Sequence, residues 1–478
     1  MTSHDHRRRW IALVVICAAQ FMVVLDVSIV NVALPSIKTA LNFSEANLQW
    51  VVSAYTLVAG GFLLLGGRIG DIMGRRLLFI SGLVLFTGGS LMCGLSWTHG
   101  ALIAFRAVQG LGAALVAPSA LSLITALFDE GSERNKALGI LGAISGSGAA
   151  FGVLLGGVLT SAFSWKWIFF VNVPVGTAAV IATLLIIPES KGELGHRRFD
   201  VAGALTITAS LTLLVYAIVK ASDYGWGSTK TIGMIIVAAA GHGLFLLIEW
   251  KSKAPLMPLR IWLNRTLTGA NVVGFMVGAA IFAMFFVLSL YMQQVLGFSA
   301  LKAGVSYLAC ALSVVFAAAL AGQLVTKLGV RNVLITGTII TAIGLYYFTH
   351  VSAHGTYWGD LFPGLVVAGV GLGFSFVPVT IAALSGVSNQ DAGLASGLIN
   401  TSQQIGGALG TAIVTTVYVA RSNTLVKHGD TVQVALTSGF QRAFLINLGF
   451  AIVGLIATLA VIKRVALPTE GAPVAGGI

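Results

Sequence analysis

Residues 10–34 read WIALVVICAAQFMVVLDVSIVNVAL. The stretch is long enough to cross a bilayer as a helix, which takes about 20 mainly apolar residues, and it holds one charge, Asp26. A carboxylate at that depth costs at least about 2.5 kcal/mol on insertion scales, so a proton, a cationic partner or a water-filled cavity must compensate it. Each of these points to transport. The basic HRRRW that precedes the run imitates a secretory signal, but the run is too long and ends in NVALPSIK, without a small-residue cleavage site. The segment therefore reads as a retained first helix.

The rest of the chain has the same character: 57% of residues are hydrophobic and 9% charged, against about 25% charged in soluble domains. Apolar spans fall near residues 10–34, 48–69, 77–96, 100–126, 137–162, 167–188, 201–221, 231–250, 268–292, 302–324, 332–352, 360–384, 393–420 and 441–463. The expected fold is thus an all-α integral membrane protein of fourteen transmembrane helices. The net charge of +12 does not make a nucleic-acid binder, because the basic residues are scattered between spans instead of forming a stripe. Cys17, Cys93 and Cys310 lie inside apolar spans without metal-ligand spacing. They read as small core residues. No HExxH, Ser/His/Asp set or GxxxxGK[ST] loop is present, so neither a membrane enzyme nor direct ATP use is supported, and no cofactor or metal is expected.

Loop charge orients the chain. Arg7, Arg8, Arg9, Arg68, Arg75, Arg76, Arg134, Lys136, Lys191, Arg197, Arg198, Lys251, Lys253, Arg260, Arg265, Lys327, Arg331, Lys463 and Arg464 fall on one side; the other carries Lys38, Lys166, Lys220, Lys230, Lys302, Arg421, Lys427 and Arg442. The richer side is expected in the cytoplasm, with both termini. A weak repeat adds a second level of order: GGRIGDIMGRR (Gly66–Arg76) follows the second span and GQLVTKLGVRN (Gly322–Asn332) the tenth, with Gly67 and Gly74 matching Gly322 and Gly329. Six-helix halves at residues 10–188 and 268–463 then flank two inserted helices within 189–267. Residues 1–9 and 464–478 read as cytoplasmic ends.

Five motifs make the pattern specific: LDVSIVNVALP (Leu25–Pro35), GGRIGDIMGRR, FRAVQGLGAAL (Phe105–Leu115), WKWIFFVNVPVG (Trp165–Gly176) and ASGLINTSQQIGGALG (Ala395–Gly410). With them the chain resembles the fourteen-spanning drug:proton antiporters of the major facilitator superfamily over nearly its full length. The resemblance implies two six-helix halves around a central cavity lined by the first and fourth helices. It further implies export of amphipathic small molecules in exchange for protons, a monomeric functional unit, and residence in the bacterial cytoplasmic membrane. A symporter for a small nutrient and a lipid transporter share the architecture and stay open as alternatives.

Asp26 lies about 12 Å below the outer end of its span and Arg106 about 9 Å into the fourth, at 1.5 Å per residue. The two are expected to face one wet cavity and to exchange proton and substrate binding there, since burial raises a carboxylate's proton affinity and a neighbouring arginine lowers it. A fixed ion pair that merely pins two helices is the alternative. In GGRIGDIMGRR, Gly67 and Gly74 permit close approach and unusual backbone angles, and Asp71 with Arg75 and Arg76 forms a charge cluster expected to gate; a plain topology-setting loop is the other reading.

Met22, Asn31, Gln109, Asn271, Phe282, Gln293, Gln294, Asn400 and Gln403 are candidates for lining the cavity, although amides more often tie helices together. In the fifth span Gly142, Gly146, Gly148, Gly152 and Gly156 recur at small-residue spacing and predict tight helix packing. Antiporters resembling this chain carry a Gly-Pro pair there; here Gly152 is followed by Val153, which puts a proline-favoured kink in doubt.

Overall fold

The computed structural model describes residues 3–128, 132–189, 200–252, 255–256, 263–384 and 392–462, and among these no strand occurs. Helices are the expected solution, because in hydrocarbon each backbone N–H and C=O must be satisfied within its own segment. Fourteen long helical spans follow one another. The first six are Ser3–Leu41, Trp50–Met73, Arg75–Gly94, His99–Leu127, Ser132–Ala162, and a sixth in two pieces, Trp167–Phe170 and Asn172–Ile186. The seventh and eighth are Val201–Tyr224 and Thr229–Lys251. The last six begin with Arg265–Leu290, extended by a π-helical turn Tyr291–Val295, and a tenth split into Ala300–Ser306 and Leu308–Leu328. Val330–Phe348, Phe362–Leu384, Ala392–Lys427 and Val432–Val461 complete the set. Eleven of the described helices are long and apolar enough to cross a membrane.

Every span expected from hydropathy is present, but several run further than their apolar windows. The first begins at Ser3, so the residues expected to precede it are helical, and it continues through Pro35 to Leu41. Hydropathy reports the hydrocarbon thickness, whereas a helix stops where its end groups find caps. Those caps are visible: Thr98, Ser228, Ser299 and Thr431 each accept a backbone N–H from three residues on, and Asn264 accepts those of Thr266 and Leu267.

Alternation of the spans creates two ends. The basic end holds the turns at 73–75 and 328–330; the far end holds those at 41–50, 94–99 and 348–357. At the basic end the repeat becomes structural. Gly74 and Gly329 both adopt positive φ, 109° and 81°, which disfavours a side chain. Two residues beyond each, an arginine Nη2 donates to a carbonyl in the last helix of its own half: Arg76 to Leu184 at 2.7 Å and Arg331 to Leu459 at 2.9 Å. Both carbonyls lie in the final turn, where cations are favoured.

Cores show how the halves meet. Toward the basic end, Ile16, Phe79, Phe86 and Ile124 belong to a core of the first six spans, and Leu267, Leu334, Val379 and Ile399 to a separate core of the last six. Toward the far end a single core takes Ile29, Val51 and Phe169 from one half and Met284, Tyr291 and Phe440 from the other. Hydrogen bonds stitch the same region: Gln293 Nε2 donates to the Val32 carbonyl at 2.8 Å, and Tyr418 Oη to Glu45 Oε2 at 2.9 Å. The halves are therefore packed together at the far end and hold separate cores at the basic end. Exposed Trp97, Trp167, Trp226 and Trp358 lie near far-end helix termini, where amphipathic rings suit a bilayer interface.

Within each half, backbones approach over glycine. A Cβ added at Gly112 would lie 2.4 Å from the Phe86 nitrogen, between the third and fourth spans. Gly112→Ala is expected to destabilise the protein by about 1–3 kcal/mol through overpacking, read as a lower melting temperature of the detergent-solubilised protein.

Candidate functional site

Asp26 is fully buried, and its partners come from neighbouring spans of the same half. Arg106 Nη1 reaches Asp26 Oδ2 at 2.5 Å, while Gln109 Nε2 and Asn172 Nδ2 donate to Asp26 Oδ1 at 2.7 and 2.9 Å. Arg106 in turn gives Nη1 to Gln109 Oε1 at 2.7 Å and Nε to the Val51 carbonyl at 2.9 Å. Its guanidinium lies 4.4 Å from the centre of the Tyr55 ring and 5.8 Å from that of Phe169. A shell of further contacts orients these groups. Asn172 also donates to Ser90 Oγ at 3.0 Å, Ser90 donates to the Phe169 carbonyl at 2.8 Å, and Cys93 Sγ is 3.8 Å from Gln109 Oε1.

The sequence explains this assembly locally. Arg106 and Gln109 are three residues apart and share one helix face, and Gly110 beside them carries no Cβ, which would meet the Tyr55 carbonyl at 2.4 Å. Asn172 opens the second piece of the sixth span, next to the break at Val171, so its side chain is delivered at the depth of Asp26. Gly152 and Gly156 bring the fifth span against Leu25, Ser28 and Ile29, directly behind the carboxylate.

Two of the sequence expectations concern this pair. Asp26 and Arg106 do come together. They do not face a wet cavity between the halves: at 0% and 1% exposure both are enclosed by spans one, two, three, four and six. The depth estimate placed them by apolar windows, and the first helix in fact continues past Leu34 to Leu41. Asn172, Ser90 and Tyr55 were not singled out from sequence. Asn172 alone had a signal, as the one amide in WKWIFFVNVPVG.

The remaining candidates scatter. Gln109 belongs to the buried network rather than to a cavity. Met22, 2% exposed, sits in the core of the first half. Asn31 Nδ2 donates within its own helix to Val27, and its Oδ1 is buried without a partner. Asn271 is held between its own helix and the thirteenth, donating to the Leu267 carbonyl and accepting Ser402 Oγ at 2.8 Å. Phe282 packs on Gly407, and Gln403 offers its backbone to Gly278. Gln293 ties the halves together, Gln294 keeps both side-chain polar atoms buried and unpartnered, and Asn400 is exposed. Gln20 Oε1 and Gln404 Oε1 are likewise unpartnered.

In the loop motif, Gly74 packs against the Glu189 carboxylate, which accepts the Arg76 N–H at 3.2 Å, and Arg75 donates to the Ser122 carbonyl at 3.3 Å. The side chain of Asp71 and the surroundings of Gly67, Gly142 and Gly146 lie outside the described residues. Gly148, like Gly152 and Gly156, packs on the first span, with Val24 as its neighbour.

Comparison with known proteins places this geometry in context. The chain is 36% identical to the puromycin resistance protein pur8 of Streptomyces alboniger, covering 97% of this chain and 92% of that one. It is 39% identical to the cephamycin export protein CmcT of Amycolatopsis lactamdurans, over 85% and 84% of the two chains. Among solved structures, a bacterial homolog of the human lysosomal transporter Spinster superposes with a TM-score of 0.68 at 16% identity, covering 97% of this chain and 99% of that one. The Major Facilitator Superfamily pattern matches residues 16–411, and the chain belongs to that superfamily.

Proposed function

We propose that this chain exports amphipathic small molecules across the cytoplasmic membrane in exchange for protons, with Asp26 as the proton carrier and Arg106 as its counter-ion. The observation that carries the reading is the likeness, along most of both chains, to proteins of antibiotic resistance and export. The buried pair adds the chemistry that an energy-coupled exporter requires. The excess of arginine and lysine at the basic end supports a cytoplasmic location for it, so that the halves are joined at the outer end and keep separate cores at the inner one.

Coupling follows from what covers the pair. Val51 and Phe169, both against Arg106, are members of the far-end core that also holds Met284 and Phe440 of the other half. Parting the halves at the far end takes Met284, Tyr291 and Phe440 away from Val51 and Phe169, thins the apolar cover over the pair and lets water reach Asp26. A proton taken up there neutralises the carboxylate and loosens its hold on Arg106. Restoring the ion pair as the far end closes requires an ionised carboxylate, so the proton leaves as the inward state re-forms. The side-chain oxygens of Gln20, Asn31 and Gln404 and both polar atoms of Gln294 are buried without a partner and are the polar groups left for an amphipathic substrate once the halves part.

Asp26→Asn is expected to abolish uncoupler-sensitive puromycin export from reconstituted vesicles. It also leaves Arg106 buried without a counter-charge, which costs about 3–5 kcal/mol, so thermal stability should fall as well. The double variant Asp26→Asn/Arg106→Gln removes both charges and should regain most of that stability while export stays lost. Recovery of export in the double variant would mean that the pair only pins helices, and the coupling scheme would fail. A separate check is Asn172→Leu, which keeps the pair but deprives Asp26 Oδ1 of one donor. It is expected to displace the pH profile of export while puromycin binding is retained.

A further inference from the structure

The second and thirteenth spans meet across the boundary between the halves, and two contacts fix how they are aligned. A Cβ on Gly60 would lie 3.0 Å from Gln404 Cβ, with Thr401 Oγ1 donating to the Gly60 carbonyl at 3.2 Å. At the far end Tyr418 Oη donates to Glu45 Oε2 at 2.9 Å. The helices run antiparallel, so Ser53 and Thr411 lie two turns outward of the Gly60 contact, and Gln49 and Thr415 three turns outward. The Ser53 N–H donates to the Gln49 carbonyl at 2.8 Å, which makes the turn that carries Gln49 continuous with the second span.

At 3.6 residues per turn, Gln49 and Ser53 point within about 20° of Gly60, and Thr411 and Thr415 within about 20° of Gln404. The flanks of the two faces agree with this placing. On one flank Trp50 and Leu57 share an apolar core with Ala408 and Ala412 and with Leu211 and Val215 of the seventh span. On the other, Val52 belongs to the far-end core together with Val414 and Tyr418. Gln49, Ser53, Thr411 and Thr415 stand between these cores, each at 0% exposure.

A polar stripe is thus shut between apolar cores, and its side chains are not bonded to one another across the seam. Thr411 Oγ1 donates back to the Gly407 carbonyl at 2.8 Å, and Gln49 Nε2 to that of Ala46 at 3.3 Å. Gln49 Oε1, Ser53 Oγ, Gln404 Oε1 and Thr415 Oγ1 are buried without a partner. Side chains that only held the halves together would bond to each other or be apolar like their flanks, because a buried polar atom left unpaired carries its whole desolvation cost. Opening the seam relieves that cost. The seventh span lies along one flank, where Thr416 Oγ1 donates to the Ile218 carbonyl at 3.2 Å, and shields the seam on that side.

We propose that the far end opens along this seam, and that Gln49, Ser53, Gln404 and Thr415 form the polar wall of the outward release path, where they hydrogen-bond uncharged polar groups of the departing compound. The inference rests on the export reading above. None of the four carries a charge, so the wall selects by hydrogen bonding and not by the sign of a charge: hydroxyl, amide and ether groups of an amphipathic compound are its ligands. Because the dry, closed arrangement is the costly one for these groups, the stripe also biases the seam toward opening.

The test removes two of the groups with little change of shape, in the double variant Ser53→Ala/Thr415→Val, and separately places a thiol with Ser53→Cys. The double variant is expected to melt at or above the wild-type temperature and to export puromycin about tenfold more slowly, since the closed seam is relieved of unpaired groups. In reconstituted vesicles with the far end outward, an impermeant methanethiosulfonate is expected to modify Ser53→Cys faster during puromycin export than at rest. Wild type, its three cysteines being buried, should stay unmodified. Thr415→Cys gives the same measurement from the other helix. A double variant that melts lower or exports at the wild-type rate overturns the inference alone, as do cysteine variants that export puromycin without faster modification. Failure of wild type to export puromycin overturns the export reading, and this inference with it.

Discussion

One buried ion pair sets the terms for half of the molecule. A guanidinium and a carboxylate withdrawn from water are tolerated only if they neutralise each other and their remaining hydrogen-bonding groups find partners. Here Arg106 and Asp26 do so with Gln109, Asn172 and the Val51 carbonyl, groups that together come from four spans, the first, second, fourth and sixth. Moving any of these helices alone would leave a charge or an amide unsatisfied in a medium without water. The first, second, fourth and sixth spans, with the third joined through Ser90, are thereby held to one another, as a half that moves as a unit in alternating access requires.

The same arrangement ties the pair to the closure of the far end. Phe169, whose ring lies over the guanidinium, and Val51, whose carbonyl accepts from it, both belong to the core that seals the halves together. At the basic end no such dependence exists, because each half there has its own core. A molecule built in this way has one gate whose opening wets the charges and another whose opening does not.

Much of this was legible in the chain. Long apolar runs must be helices in a bilayer, so all fourteen spans, and the placing of Asp26 inside one of them, followed from composition and periodicity. The ends of the first helix did not, because caps and polar turns outside the hydrocarbon leave no mark on hydropathy. Nor did the enclosure of Arg106. Depth along a helix is readable from sequence, whereas the side of the helix that meets a neighbour depends on packing, and Gly110 and Gly112 decide that packing only once the third and second spans are in place. Amides were the least readable class. Gln109 and Asn271 serve internal bonds while Gln294 stays unpartnered, and nothing in their local sequence separates the two fates.

The duplication shows where the charge chemistry was added. Asn172 and Asn447 stand at equivalent positions, each twelve residues before the carbonyl that receives the repeat arginine, at Leu184 and Leu459. Each reaches from the last helix of its half to the first. Asn172 Nδ2 finds the Asp26 carboxylate; Asn447 Nδ2 finds only the Ala280 backbone carbonyl, at 2.9 Å, and its Oδ1 has no partner. The geometry of the amide is shared, but the ionisable group is confined to the first half. A carboxylate in both halves would need a second buried cation, and at Asn447 the second half offers a backbone carbonyl instead. The two halves therefore share a mechanical frame and differ in chemistry: the first holds the charge that responds to water, and the second supplies the apolar surface that admits or excludes it.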